Sequence, residues 1–229
     1  MFDVISTIMK PIEKIMTGLP GYLVVVLMMQ LLWWFGIHGP NVMGAVTSPF
    51  MTKMMAQNLA LYQSGEGVTA SGVFYTAGSQ NSIISGPFGA GWRCPTGSGI
   101  TMGLIIAVML FSKRDDFKAI AKLAIPCGIF NINEPIIFGI PMVMNALFAV
   151  TFFLAPIACV CCGYLVQSMG LCPLFVIDVP WTTPVGLFGF LASSGNIMGA
   201  IWQAVIILGV STLIYTPFVI ASNRQTEEA

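Results

Sequence analysis

The sequence predicts an all-α membrane protein, a polytopic helical bundle interrupted by re-entrant hairpins. Three observations carry that prediction. Of 229 residues, 56% are hydrophobic and only 8% charged, with a mean hydropathy of +0.87, whereas a soluble domain carries roughly 25% charged residues. Residues 15–52, 67–92, 94–112, 135–177 and 179–223 contain no Asp, Glu, Lys or Arg, and one bilayer crossing needs about 20 mostly apolar residues. Several of these runs are also broken by Pro, Gly and Asn. Irregular backbone at membrane depth is tolerated where protein or a wet cavity covers it. Linkers and low-complexity tracts are absent, so residues 1–222 read as one membrane-embedded domain and 223–229 as a short polar tail.

The elements follow in order. Residues 1–18 form an amphipathic lead-in: Phe2, Ile5, Ile8, Met9 and Ile12 are spaced for one helical face. A cleaved signal peptide would instead need a charged start and a short apolar core before small residues. Pro20 and Gly21 open an apolar helix over Tyr22–Phe35, which ends where Gly36, Gly39 and Pro40 surround His38. Residues 42–63 are methionine-rich and amphipathic, with Lys53 the only charge, and predict an interfacial or tilted helix. From Glu66 to Gly99 the glycines, Pro87, Pro95, Gln80 and Asn81 make a poor continuous span, so a re-entrant hairpin is expected. Thr101–Phe111 makes the next helix.

Ser112–Lys122 holds four of the nine cations and reads as a loop that faces the cytoplasm by the positive-inside rule. Leu123–Asn145 repeats the hairpin logic, with Pro126, Pro135 and Pro141 as breaks. Met142–Val166 is long enough to span, Leu171–Gly195 is broken again, and Ile197–Ile220 closes with a clean span. The reading gives four continuous spans and two or three broken ones.

Composition excludes several functions. A net charge of zero offers nothing to nucleic acid. Cys159, Cys161 and Cys162 sit in an apolar run without a nearby histidine, so the cysteines read as packing residues and no metal is expected. GxSxG, HExxH, P-loop and dinucleotide fingerprints are all missing. No catalytic residue and no cofactor is expected; the chain reads as a carrier.

What remains is a small set of polar groups at depth. The run Asn131-Ile-Asn-Glu134-Pro135 places one carboxylate in an apolar segment, with Asp178 the next charge after it. An intramembrane charge costs about 3 kcal/mol or more unless offset, and Pro135 breaks the helix beside it. A structural reading ties Glu134 to backbone donors; the functional one makes Glu134 and Asn133 ligands for a hydroxyl-rich solute. His38, at a helix break beside Trp33 and Trp34, could be a packing residue or a donor to the same solute. Trp33, Trp34 and Trp181 suit either the membrane interface or stacking on a sugar face. Asp178 and Arg93 read as near-surface or structural, and Lys53 as a snorkelling side chain.

Three segments together resemble the membrane (IIC) component of the bacterial sugar phosphotransferase system, in its lactose, cellobiose and diacetylchitobiose group. They are Trp34-Phe-Gly-Ile-His-Gly39, Gly128-Ile-Phe-Asn-Ile-Asn-Glu-Pro-Ile-Ile-Phe-Gly139 and Val179-Pro-Trp-Thr-Thr-Pro184. The resemblance implies a multi-pass permease of the bacterial cell membrane, embedded in the lipid bilayer, that binds a β-linked disaccharide. It implies that His38 and Glu134 bind the sugar with Asn133 beside them, and that Trp33 and Trp181 stack on it. The phosphoryl donor would be a phosphorylated cytoplasmic IIB partner, itself charged through IIA, so this chain would carry no phosphoryl-transfer residue of its own. Family members are roughly twice this length and dimerise through an N-terminal set of helices. The chain therefore looks like the transport half, and poor homodimerisation is expected. Arg93-Cys-Pro-Thr-Gly-Ser-Gly99 stands where the family usually has a Gly-Gly-Ser-Gly type turn, which predicts altered local geometry. An ion- or proton-coupled sugar carrier and a non-transporting fragment are the alternatives.

Overall fold

The computed structural model describes residues 15–65, 82–140, 142 and 145–227, with side chains as far as Asn223. Most of the amphipathic lead-in, the first arm of the expected hairpin over 66–81, and Pro141 lie outside the described residues. Every regular element among the described residues is helical. We label them α1 (Leu19–Trp34), α2 (Gly39–Ser64), α3 (Gly86–Trp92), α4 (Met102–Phe111), α5 (Asp115–Ile129), α6 (Glu134–Gly139), α7 (Ala146–Ser168), α8 (Leu187–Ala192), α9 (Ile197–Ala204) and α10 (Ser211–Glu227). The π-helical turn Val205–Val210 joins the last two into one rod.

Local sequence explains the boundaries. Pro20 and Pro40 stand in the first turns of α1 and α2, where a missing N–H removes no hydrogen bond. Asn145 and Asn196 cap α7 and α9 through Leu147 N and Met198 N, at 3.0 and 2.9 Å. The amphipathic run expected over 42–63 becomes the 26-residue α2, which continues past Pro49.

Two helices, Ala146–Ser168 and Ile197–Asn223, are long and apolar enough to cross a membrane. The other two expected continuous spans fall short. At 16 and 10 residues, α1 and α4 measure about 24 and 15 Å. The first stops at the Gly36 turn, and the second starts only after the left-handed residues at 96–100. The basic stretch expected as a loop is largely helical. Asp115 and Asp116 occupy the first turn of α5, where carboxylates complement the helix dipole. Its buried residues Phe117, Ala121, Ala124 and Gly128 recur on one face, and Pro126 lies inside the helix instead of ending it. Asn223, expected in the tail, is buried within α10: its amide accepts from Lys113 N and donates to Phe111 O, at 2.9 and 3.0 Å.

Among the described residues the interior forms two large apolar clusters and a small third one at Leu174 and Val176. One large cluster gathers Tyr22, Phe88, Trp92, Phe175 and Phe188 around the middle of α7; Trp92 stacks on Phe175 at 5.3 Å between centroids. The other joins α4, α5, α6 and α10, with Phe148 and Phe152 from the first half of α7 and Trp33 from the end of α1. Apolar burial drives helix association weakly in lipid, so close packing and interhelical hydrogen bonds must hold the bundle. Gly103 supplies the first: a Cβ there would run into Ser211, so its absence lets α4 lie against α10. Gln203 supplies the second, accepting from Gly186 N and Gly189 N (2.9 and 2.7 Å) and donating to Gly91 O (3.1 Å). Tyr215 likewise donates to Gly99 O at 2.7 Å.

Candidate functional site

The three breaks in the apolar sequence meet at one cavity of about 440 Å³, within the usual range for small-molecule sites. His38, Glu134, Asn133, Trp33 and Trp181 all line it. They come from three segments far apart in the chain: the α1–α2 junction, the α5–α6 junction and the turn after Val179. Asp178 does not line it and is exposed.

His38 follows the Gly36 turn, and its Nδ1 accepts the Asn41 N–H at 3.3 Å, capping α2. In the neutral ring this leaves the proton on Nε2, free to donate. The imidazole rests on Trp33, with centroids 4.9 Å apart. Trp33 is 6% exposed and forms a wall, whereas Trp181 is 63% exposed at the rim.

Glu134 opens α6, directly after the turn at 130–133. Among the described residues no hydrogen bond or ion pair engages its carboxylate, which is the only acidic group on the cavity wall. Its two asparagine neighbours are used differently. Asn133 is 4% exposed and donates Nδ2 to Ser98 O at 2.6 Å. Asn131, at a left-handed φ of 66°, accepts from Thr96 N at 2.6 Å and donates to the carbonyls of Trp181 and Thr183. The structural and functional readings of Asn-x-Asn-Glu therefore coexist. The asparagines secure the segment and leave the glutamate unengaged.

The loop 94–101, which carries the altered turn, adjoins the Glu134 segment and lines the cavity through Cys94, Gly97 and Ser98. Thr96, Gly97, Gly99 and Ile100 all have positive φ, a conformation that costs a β-branched residue energy. Three hydrogen bonds hold Thr96 there: its N–H to Asn131, its carbonyl to Thr101 Oγ1 (2.9 Å), and its hydroxyl to Met102 N (3.2 Å). Gly97 has two reasons to be glycine, since φ is +85° and a Cβ would overlap the Asn133 side chain.

Arg93, read from the sequence as structural, also lines the cavity. Among the described residues its Nη atoms make only long contacts, to Tyr22 OH (3.5 Å) and Cys94 Sγ (3.7 Å), and its buried Nε meets no partner. Its position beside Pro95 gave no signal of this. The cavity thus offers one anion, one cation, one imidazole donor and two indoles. That set complements a neutral ligand rich in hydroxyl groups and C–H faces. A second cavity of about 420 Å³, between α4, α5 and Pro184–Val185, has only Thr96 as a polar side chain on its wall and lacks such chemistry.

Comparison with known proteins gives a consistent picture. The family model described as "Phosphotransferase system, EIIC" matches residues 1–156. The cellobiose-specific EIIC component of Lactococcus lactis is 35% identical over 233 residues, covering 96% of this chain and 46% of that protein. The oligo-β-mannoside-specific EIIC component of Bacillus subtilis is 34% identical, with coverages of 98% and 48%. The lactose-specific EIICB component of Staphylococcus aureus is 31% identical, with coverages of 94% and 36%. The crystal structure of the transporter ChbC, the IIC component of an N,N′-diacetylchitobiose-specific phosphotransferase system, superposes with a TM-score of 0.85 at 32% identity, covering 96% of this chain and 49% of that one. The chain spans about half the length of most of the relatives it matches.

Proposed function

The chain belongs to the EIIC family of the phosphotransferase system, and on that premise we propose that it is the sugar-gripping part of a multi-pass cell-membrane permease for a β-linked disaccharide. One observation carries the reading: His38, Glu134, Trp33 and Trp181, from segments up to 148 residues apart, line a single cavity. Cellobiose, oligo-β-mannoside, lactose and diacetylchitobiose appear in the names of its relatives, which supports a β-linked sugar as cargo.

In this reading Glu134 accepts from sugar hydroxyls and His38 Nε2–H donates to them, beside the hydroxyl that receives the phosphoryl group. Trp33 backs one ring and Trp181 covers the sugar at the rim. Asn133 secures the Glu134 segment through Ser98 and presents the rest of its amide to the ligand. Arg93 supplies further donors on the wall of the same cavity. The phosphoryl group comes from a phosphorylated cytoplasmic IIB partner, a role that the EIICB designation of the lactose relatives supports. Sugar oxygen forms the new bond to phosphorus as the bond to IIB breaks. The chain contributes proximity and orientation.

The test is uptake of radiolabelled cellobiose in cells expressing the chain, with and without phosphorylated IIB, followed by chromatography of the internal sugar. The expected product is sugar phosphate that appears only with the partner. Free sugar whose accumulation collapses with an uncoupler would contradict the reading and favour an ion-coupled carrier.

A further inference from the structure

We infer that Asn131 is the positioning residue of the site, a single amide that sets the Trp181 rim against the Glu134 segment. The inference rests on the sugar-binding reading above for its functional meaning, and on independent geometry for its structure.

Asn131 is 7% exposed, so its side chain is spent on protein contacts. Its Oδ1 faces the Thr96 N–H and its Nδ2 faces two carbonyls, Trp181 O and Thr183 O. The reversed amide would set a donor against a donor and an acceptor against two acceptors, so only one orientation satisfies the contacts. The amide therefore ties its own segment to two others, one 35 residues before it and one 50 to 52 residues after it. The earlier one has a second tie, because Asn133 also binds the 94–101 loop through Ser98. The Trp181 turn is anchored at its flanks, by Ile177 N to Ala192 O before it and Gly186 N to Gln203 Oε1 after it, but among the described residues Asn131 alone hydrogen-bonds it to the Glu134 segment. The turn closes on itself through Thr183 N to Pro180 O at 2.9 Å, and the two carbonyls it presents to the site both end on Asn131. The indole is mostly exposed, so the backbone of that turn decides where the ring stands.

The left-handed φ of 66° fits the assignment. Asparagine adopts that region more readily than other residues with a side chain. Glycine adopts it as well, so Asn131→Gly removes the three side-chain bonds while leaving the backbone unstrained. The Thr96 and Glu134 side of the site keeps its Asn133 anchor in that variant. What loses its tie to the Glu134 segment is the turn at Trp181–Thr183, while its flanks stay held at Ala192 and Gln203.

The experiment uses the full chain in detergent with two readouts. The first is equilibrium binding of radiolabelled cellobiose in a double-mutant cycle. Asn131→Gly is expected to weaken binding about tenfold, within the range of coupling between contacting groups. In a Trp181→Ala background the same change is expected to cost less than about twofold, because the ring it positions is gone. In a His38→Asn background it is expected to keep its full effect. Equal losses in all backgrounds, or no loss in the first, would overturn the inference. The second readout needs no sugar. With 5-fluorotryptophan in the five Trp positions, Asn131→Gly is expected to shift or broaden the ¹⁹F resonance assigned to Trp181 and leave that of Trp92 in place. An unmoved Trp181 resonance also overturns the inference. If wild type fails to bind cellobiose yet the Trp181 resonance responds, the sugar reading fails and the positioning assignment stands.

Discussion

Glu134 is the one acidic group on the cavity wall, and nothing else among the described residues engages it, which makes it the residue on which the proposed sugar binding is tested first. Replacing it by glutamine keeps size and shape but exchanges a charged acceptor for a neutral amide. Hydrogen bonds to a charged group contribute about 1.5–3 kcal/mol, so Glu134→Gln is expected to weaken cellobiose binding by about 10- to 150-fold, read as a dissociation constant by equilibrium dialysis. Thermal stability should hardly change, because the carboxylate ties no element to another. His38→Asn makes a companion test. Asparagine retains a capping oxygen for α2 and lacks the Nε2 donor, so binding should fall while the melting midpoint holds. Asp116 shows the opposite case. Its hydrogen bonds to Arg114 (2.5 and 3.1 Å) hold its carboxyl below the ordinary value. The resulting stability is present above the unfolded carboxylate pKa and fades as pH falls through the lower folded one. Because the pair is solvent-exposed, Asp116→Asn should cost well under 1 kcal/mol at pH 7. At this scale the sequence was legible wherever a polar group interrupted an apolar run, as with Glu134, His38 and Trp181. Arg93 and Asn131 were not, because their roles come from partners 35 or more residues away.

The helices show how far local pattern reaches. Rods such as α7 and the α9–α10 unit were readable because length and apolarity suffice to define them. Ends were uneven. The helical start of α5 was hidden by a cluster of charges that belongs to its first turn and to its solvent face. The ends of α1 and α4 fall within three residues of the expected Tyr22–Phe35 and Thr101–Phe111, because Gly36 and the Gly97–Gly99 turn mark them in the sequence. The α4–α10 crossing gives a test. Gly103 lets the two backbones close on Ser211, and Tyr215, one turn further, bonds Gly99 O just before α4. Gly103→Leu inserts volume where none exists and should destabilise the fold by about 1–3 kcal/mol, seen as a lower unfolding midpoint in detergent. Gly97→Ala should act on the site itself. Its methyl group meets Asn133 at a left-handed backbone position, so sugar binding should fall together with stability.

Taken whole, the molecule is two large apolar clusters bridged by α7, with a polar cavity formed where the chain breaks converge. That arrangement explains why the breaks exist: each delivers a polar or aromatic group to a place that continuous helices would fill with aliphatic side chains. The exposed apolar residues of α5, α9 and α10, including Leu123, Ile197 and Leu213, fit a chain whose surroundings are lipid or further protein. In the proposed reading, sugar binding draws only on the groups gathered here, whereas transport and phosphorylation would draw on a IIB partner as well. The most direct test of the central claim is therefore saturation binding of radiolabelled cellobiose to the purified chain, beside Glu134→Gln and Trp181→Ala, with circular dichroism confirming that each is folded. The account expects one saturable site, weakened in both variants. Folded wild-type protein without saturable binding, or binding that ignores both substitutions, would contradict it.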